Sequence, residues 1–284
     1  MKIKYYGTGT SGAIPEMFCS CRVCEYARSH GGKDIRSRSQ ATVGDLMIDF
    51  SHDAFMHTVY GGLDMRNYKH VLITHGHFDH YAREQLTGRY VTDENWTFYL
   101  PPQTAAPERE RLQKSLQGAK GNPPRRAPEI ADAVPFVPMN IMGYRVTPLP
   151  ARHAPSIGSV IYLIEKDGKA VLWDHDSGLM LPETIEYLRG LDVHLDFVSL
   201  DCNLARGQNI SPYHMDILQA NETAQLLRQM GRADERTRFF ISHFSHLLDR
   251  THAELCEEAK AFGFEVAYDG MKIDIYNCCK IVSW

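Results

Sequence analysis

"KHVLITHGHFDH", residues 69–80, decides how the rest of this chain is read. The apolar run Val71-Leu72-Ile73 reads as a buried strand, and it runs into His75, His77, Asp79 and His80 within a few positions. A strand packed inside a core needs no such side chains. Imidazole nitrogens beside a carboxylate suit zinc, manganese or iron, so the stretch reads as a metal-holding loop at a strand end. A polar turn bearing surface histidines is the plain alternative, and the density of ligand-type residues speaks against it.

Working outward, single ligand-type residues follow other strand-like segments. Asp49 stands in "LMIDF", His153 follows "RVTPLPAR", Asp176 stands in "WDHDSG", and His243 follows "RFFIS". Strand patterns recur from "KIKYYG" to "FEVAYDGMKIDIY", including "ATVGDLMIDF" as one segment. Helix patterns lie between several of them, notably Asp216 to Met230 and Asp249 to Phe262, the latter with Asp249 as its candidate cap. This is a mixed α/β chain. "EKDGK" at 165–169 carries the Asp-Gly signal of a tight hairpin, so part of the sheet is expected to be antiparallel. Residues 101–138, rich in Pro, Ala and charge, read as a surface insertion with one short helix. A lid or substrate arm is the sharper alternative, because Ala105 to Ile130 holds six Lys/Arg against three Glu.

The 284 residues, 43% of them hydrophobic, suffice for one core, and a single domain over 1–284 is expected. With 31 Lys/Arg against 35 Asp/Glu the net charge is −4, which provides no general attraction to nucleic acid or anionic lipid. An anionic substrate must therefore be held by local charge, such as bound metal. No stretch approaches the ~18 apolar residues of a membrane span. "MKIKYYGTGTSGAIP" lacks the apolar segment of a signal peptide, so a cytoplasmic location is expected. Its "GTGTSG" lacks the Lys-Ser/Thr of a phosphate loop and reads as a tight turn.

Seven cysteines include Cys19, Cys21 and Cys24 in a C-x-C-x2-C array, which suits metal better than a disulfide framework. A fourth ligand is absent locally; His246, three residues beyond His243, is the candidate for a tetrahedral Cys3His zinc. Three reduced core thiols are the plain alternative. His214 precedes a helix and is either a cap or a functional imidazole. His52 reads as a surface loop histidine, Asp201 as a support near His214, and Cys202 as buried; Cys278 and Cys279 have no partner that can be named.

The order His75-x-His77-x-Asp79-His80, followed by single ligands downstream, resembles the metallo-β-lactamase superfamily over nearly the whole chain, with Asp49 at that superfamily's early aspartate. The resemblance implies an αββα sandwich and a metal-dependent hydrolase. It implies one divalent ion held by His75, His77 and His153, a second by Asp79, His80 and His243, and Asp176 bridging them. Asp176 is preferred to Asp174 because Ser177 and Gly178 follow it. Two such ions, zinc, manganese or iron, would activate a bridging water as hydroxide, with Asp79 among the catalytic groups. The cysteine array, the His243-x-x-His246 pair and the "AYDGM" ending are similar to a narrower branch, the phosphoribosyl cyclic phosphate phosphodiesterases of the carbon-phosphorus lyase pathway. That branch implies a structural zinc on Cys19, Cys21, Cys24 and His246, and a small, even cyclic, phosphodiester as substrate. It also implies that His214 protonates the leaving oxygen or clamps a phosphate. The pyrroloquinoline quinone B branch shares the cysteine array, so a non-catalytic cofactor-biosynthesis protein is an alternative, one that predicts incomplete ligands. A tRNA 3-prime-processing endonuclease is another, disfavoured by the net charge and the absence of a long basic arm. A small-molecule partner is expected, nucleic acid is disfavoured, no membrane is expected, and a homodimer is left open.

Overall fold

Alternation along the strands sorts the apolar residues onto two faces. In "KAVLWD", for example, Val171 and Trp173 enter one buried cluster while Ala170 and Leu172 enter another. A computed structural model describes residues 1–86, 95–117, 127–208 and 211–275. Its strands are β1 (Lys2–Gly7), β2 (Gln40–Val43), β3 (Leu46–Ile48), β4 (His70–Leu72), β5 (Thr97–Leu100), β6 (Glu129–Asp132) and β7 (Met139–Ile141). They continue as β8 (Tyr144–Pro150), β9 (Val160–Lys166), β10 (Lys169–Asp174), β11 (Phe197–Asp201), β12 (Arg238–Ser242), β13 (Glu265–Val266) and β14 (Lys272–Asp274). One sheet runs β14-β1-β2-β3-β4-β5-β6 and the other β13-β12-β11-β10-β9-β8-β7. The helices are α1 (Arg22–His30), α2 (Ala54–Val59), α3 (Pro102–Gln117), α4 (Pro182–Gly190), α5 (Ile217–Gln229) and α6 (His252–Lys260).

Three buried layers define an αββα sandwich. Ile3, Tyr5, Leu46, Tyr162, Trp173 and Phe240 fill the space between the sheets. Leu172, Leu200 and Ile241 on the outer face of the second sheet meet Ile217, Ala224 and Leu227 of α5 and Leu255 of α6. Met47, Val71 and Phe98 on the outer face of the first meet Ala54 of α2 and Ala105 and Leu112 of α3. Both sheets carry a parallel block, β3-β4-β5-β6 and β10-β11-β12-β13, and their remaining pairings are antiparallel. Side chains leaving the carboxyl ends of β3, β4, β10, β11 and β12 therefore emerge where loops are free to shape a site.

The local readings hold in part. The Asp-Gly hairpin joins β9 to β10 antiparallel, with Asp167 and Gly168 at φ 52° and 70°. "ATVGDLMIDF" is two strands rather than one, because Gly44 turns the chain at φ 59°. The cap of α6 is Thr251, whose side chain accepts from the Glu254 N–H while Glu254 reaches back to the Thr251 N–H, a capping box. Asp249 lies instead in the left-handed region at the end of the preceding short turn. Residues 101–138, expected as a surface insertion with one short helix, carry the 16-residue α3 and the edge strand β6, and bury Ala105, Glu108, Leu112 and Ile130. The part of a lid reading that rests on 118–126 lies outside the described residues, as do Cys278 and Cys279.

Candidate metal centre

Each side chain singled out at a strand end converges on one cleft. Asp49 leaves β3, the 75–80 loop leaves β4, His153 follows β8, Asp176 follows β10, Asp201 ends β11, and His243 follows β12. Asp49, Asp176 and His243 leave their strands at φ 62°, 51° and 63°, a conformation that costs non-glycine residues of order 1–3 kcal/mol each. Such strain persists where the surroundings over-determine it, which is what convergence from several strands provides.

Two groups form around one shared carboxylate, with the candidate ligand atoms of each group within 4.8 Å of one another: His75, His77, His153 and Asp176, and Asp79, His80, His243 and Asp176. In the first, His75 Nε2 and His153 Nε2 lie 3.0 and 3.1 Å from His77 Nδ1, and 3.3 and 3.6 Å from Asp176 Oδ2. In the second, His80 Nε2 lies 3.2 Å from His243 Nε2, 3.1 Å from Asp176 Oδ2 and 3.5 Å from Asp79 Oδ2. Donors about 2.0–2.1 Å from a tetrahedral zinc stand roughly 3.3 Å apart, so facing ring nitrogens at these separations fit a shared cation. Asp176 Oδ2, near His75, His80 and His153 together, is placed as a bridging carboxylate would be.

Supporting groups orient the imidazoles from behind. His80 Nδ1 donates to Asp49 Oδ2 at 2.6 Å, and the Thr74 N–H and hydroxyl donate to Asp49 Oδ1 at 2.9 and 3.0 Å. His243 Nδ1 lies 3.1 Å from Asp201 Oδ1, whose second oxygen accepts from the Met215 N–H at 2.9 Å. Asp201 is thus the support that its position suggested, and Cys202 is buried. Asp174, the register alternative, is fully buried within the strand and belongs to neither group; burial pushes its carboxyl up to about 7. His52 sits half-exposed against the Phe78 carbonyl at 2.8 Å, away from both groups.

Charge within the cluster is matched to a cation. Burial, reinforced by the His80 charge, holds His75 well below its ordinary pKa, the neutral form a metal ligand needs. Burial alone would also lower His80, but the Asp49 and Asp79 carboxylates outweigh it and hold it well above. Against its own burial, the charge of His243 and hydrogen bonds from His214 and His80 keep the Asp176 carboxyl well below the usual range. A divalent ion would replace the proton on His80, so ion binding and protonation compete here.

His214 meets this cluster from the start of α5, which Asp216 caps through a box with Gln219. Its Nδ1 lies 2.9 Å from Asp176 Oδ1, 3.5 Å from Asp201 Oδ2 and 3.2 Å from Asn203 Nδ2, and it joins Asp176, Asp201 and His243 in a further ligand-type group. Although burial opposes it, those carboxylates push its pKa up to about 10. Asn203 was not foreseen; its sequence neighbours gave no sign of a partner eleven residues on.

The cysteine array closes on its expected fourth member. Cys19 Sγ and Cys21 Sγ lie 3.3 and 3.5 Å from His246 Nδ1, and Cys24 completes a group whose candidate ligand atoms all fall within 4.8 Å. None of the five cysteines among the described residues is in a disulfide. Burial pushes Cys24 up to about 12; for Cys21 it is outweighed by the Cys24 backbone and His246, which bring the thiol down to about 6. Glu16, also unforeseen, pairs with His246 Nε2 at 2.7 Å, so this group abuts the cleft that Glu16 and His246 both line. No helix among the described residues is long and apolar enough to cross a membrane.

Comparison with known proteins agrees with this architecture. The family model described as a β-lactamase superfamily domain matches residues 47–244, and the chain belongs to that family. It has the metallo-β-lactamase fold, that of a metal-dependent hydrolase. Among solved structures it is similar to a diphosphatase of the PhnP family, at 22% identity and TM-score 0.70 over 96% of both chains. It is also similar to zinc-bound PqqB from Methylobacterium extorquens, at 17% identity and TM-score 0.66 over 96% of this chain and 100% of that one. Human short-form tRNase Z follows at 14% identity and TM-score 0.63, over 97% and 99%. Among curated proteins it is similar to an octanoyltransferase from Porphyromonas gingivalis, 27% identical over 91% of this chain; the chain spans 48% of that relative's length.

Proposed function

We propose that the protein is a phosphodiesterase acting on a small diester. The observation that carries this reading is the pair of ligand groups sharing Asp176, with His214 at the same cleft. His75, His77 and His153 would hold one divalent ion, Asp79, His80 and His243 the second, and Asp176 both. Zinc, manganese and iron all accept this donor set. The ions would supply a hydroxide nucleophile near neutral pH and positive charge for the developing phosphorane-like anion. The chain's own residues do the rest. Asp49 and Asp201 fix the tautomers of His80 and His243. Asp79 orients the attacking oxygen, and His214, with Nδ1 held by carboxylates, donates from Nε2 to the departing oxygen. Cys19, Cys21, Cys24 and His246 would hold a structural zinc, which would fix the adjoining wall.

The cleft holds about 580 Å³, room for a small substrate, and among its described lining residues there is no Lys or Arg. That disfavours an RNA substrate, whose many phosphates need many cations. A non-catalytic role is disfavoured by the completeness of both ligand groups. Hydrolysis of an acyl ester or thioester is the second reading, supported by the curated relative named for octanoyl transfer. A panel of bis-p-nitrophenyl phosphate, cyclic nucleotides, a ribosyl cyclic phosphate, a pre-tRNA and an octanoyl thioester, each with added zinc or manganese, tests the reading. Turnover of the small diesters alone supports it; turnover of only the thioester or the pre-tRNA overturns it.

A further inference from the structure

Large apolar side chains at a polar, metal-type site call for an explanation. Phe78, Leu247 and Tyr213 are 52%, 52% and 42% exposed, and each is the immediate sequence neighbour of a residue of the two clusters or of His214. Phe78 stands between His77 and Asp79, Leu247 follows His246, and Tyr213 precedes His214. Phe78 and Leu247 line the cleft itself. Tyr213 packs edge-on to His153 with centroids 6.0 Å apart.

Phe78 is not a loose surface ring. The His52 ring meets it edge-on at 5.8 Å, and the same histidine's Nδ1 lies 2.8 Å from the Phe78 carbonyl. The Arg38 guanidinium lies 5.8 Å from its ring and is itself fixed, donating to Asp53 Oδ1 and to the Ser11 carbonyl, each at 2.9 Å. Arg38 is therefore spent on holding loops, and its neighbour ring is offered to the cleft at a distance set by the two flanking ligands. The other lining side chains include the hydroxyls of Thr10, Ser11, Ser211 and Ser245, and the acid Glu16. A rigid aromatic ring at a cleft with no Lys or Arg among its described lining residues to seize a second phosphate recognises a flat group by stacking.

We infer that the cleft selects diesters whose retained substituent, the one that does not leave, carries an aromatic ring, which stacks on Phe78 against Leu247. This deepens the phosphodiesterase reading and rests on it. Two diesters with one leaving group separate the questions: p-nitrophenyl phenyl phosphate and p-nitrophenyl methyl phosphate. The wild-type protein is expected to favour the phenyl ester roughly 10- to 100-fold in kcat/KM, chiefly through KM, the range of base-on-aromatic stacking. Phe78→Ala is expected to bring the phenyl-to-methyl ratio within about threefold, and Phe78→Tyr to retain it. Because the ratio is read within one variant, a general loss of activity cancels. The second readout needs no turnover: binding of methyl phenylphosphonate against methyl methylphosphonate to the metal-loaded protein, by calorimetry, should show the same preference and the same loss in Phe78→Ala. Equal use of both diesters, or a ratio indifferent to Phe78→Ala, overturns the inference and leaves the phosphodiesterase reading standing. If neither diester is cleaved, the binding ratio alone decides whether Phe78 is a stacking platform, and the substrate panel decides the phosphodiesterase reading.

Discussion

His243 and His246 lie three residues apart on one loop, yet they belong to clusters built in opposite ways. The histidine-aspartate cluster draws on the ends of four strands, β4, β8, β10 and β12, from His75 to His243 in sequence, and its members are held in place by the fold. Asp49 grips His80, Asp201 grips His243, and the Thr74 hydroxyl lies 3.0 Å from His75 Nδ1. The cysteine cluster takes Cys19 and Cys21 from the loop that leads into α1, Cys24 from the first turn of that helix, and one imidazole from elsewhere. Cys19 and Cys21 are half-buried, and their contacts are long sulfur ones at 3.3–3.5 Å. The first scaffold is maintained by the sandwich core; the second would, on the proposed reading, need a cation to gather it. Losing an ion should therefore cost activity in one place and stability in the other.

The largest effect expected is from Asp176→Ala. Its carboxylate belongs to every one of the histidine-aspartate groups at the cleft, so turnover should fall to background. Because the strands hold the remaining ligands, the melting temperature of the apo protein should change by only a few degrees. His77→Ala, at an exposed position, should behave alike. Substantial turnover, or collapse of the fold, would break the contrast between the two clusters. Next in size is His214→Ala, with both ions retained by metal analysis and turnover reduced ~100- to 10,000-fold. The deficit should shrink for p-nitrophenyl esters, whose leaving group hardly needs a proton. Equal, small losses on all esters would make His214 a helix-start histidine.

Cys21→Ser tests the other side of the comparison. One zinc per chain should be lost and the melting temperature should drop, while turnover per active-site ion falls less, and only through the wall that Glu16, His246 and Leu247 form. Unchanged metal content together with an unchanged melting temperature would reduce the array to free thiols.

The sequence disclosed these two clusters unevenly, for a physical reason. Residues 75–80 and 19–24 crowd ligand types locally, so their chemistry shows without knowing the fold. His153, Asp176 and His243 became readable once their strand-end positions were seen together, since parallel strands deliver their carboxyl ends to one edge. Asn203, Glu16 and Phe78 carried no such signal. Glu16 acquires its meaning from His246, 230 residues away, and Asn203 from the turn that returns His214 over β11. The α6 cap was legible in Thr251-x-x-Glu254, a capping-box spacing stronger than the lone Asp249. For residues 101–138, composition showed charge and proline, while the pairing of β6 beside β5 is a tertiary event that composition does not encode.

A buried imidazole outside both clusters sharpens the contrast, because it is satisfied without any ion. His57 is 4% exposed, its Nδ1 donating to Gln40 Oε1 at 2.5 Å and its Nε2 lying 2.8 Å from the Ser37 hydroxyl. Burial lowers its pKa to about 4, against ~6.5 in the unfolded chain. The sign follows from proton uptake. Between those values the unfolded state binds a proton that the native state refuses, so stability is full above about pH 6.5 and declines as pH falls toward 4. From pH 7 to pH 5 this one group should cost ~2 kcal/mol. His57→Gln should remove that share of the acid sensitivity. Urea midpoints of both proteins at the two pH values measure it, and only the difference between their pH slopes is read. Protonation of the metal clusters acts on both proteins and drops out, as does any loss the substitution causes at neutral pH. Parallel slopes would mean that the acid lability of this chain resides wholly in its ligand clusters, and that His57 stays neutral in the unfolded state or is charged in the native one.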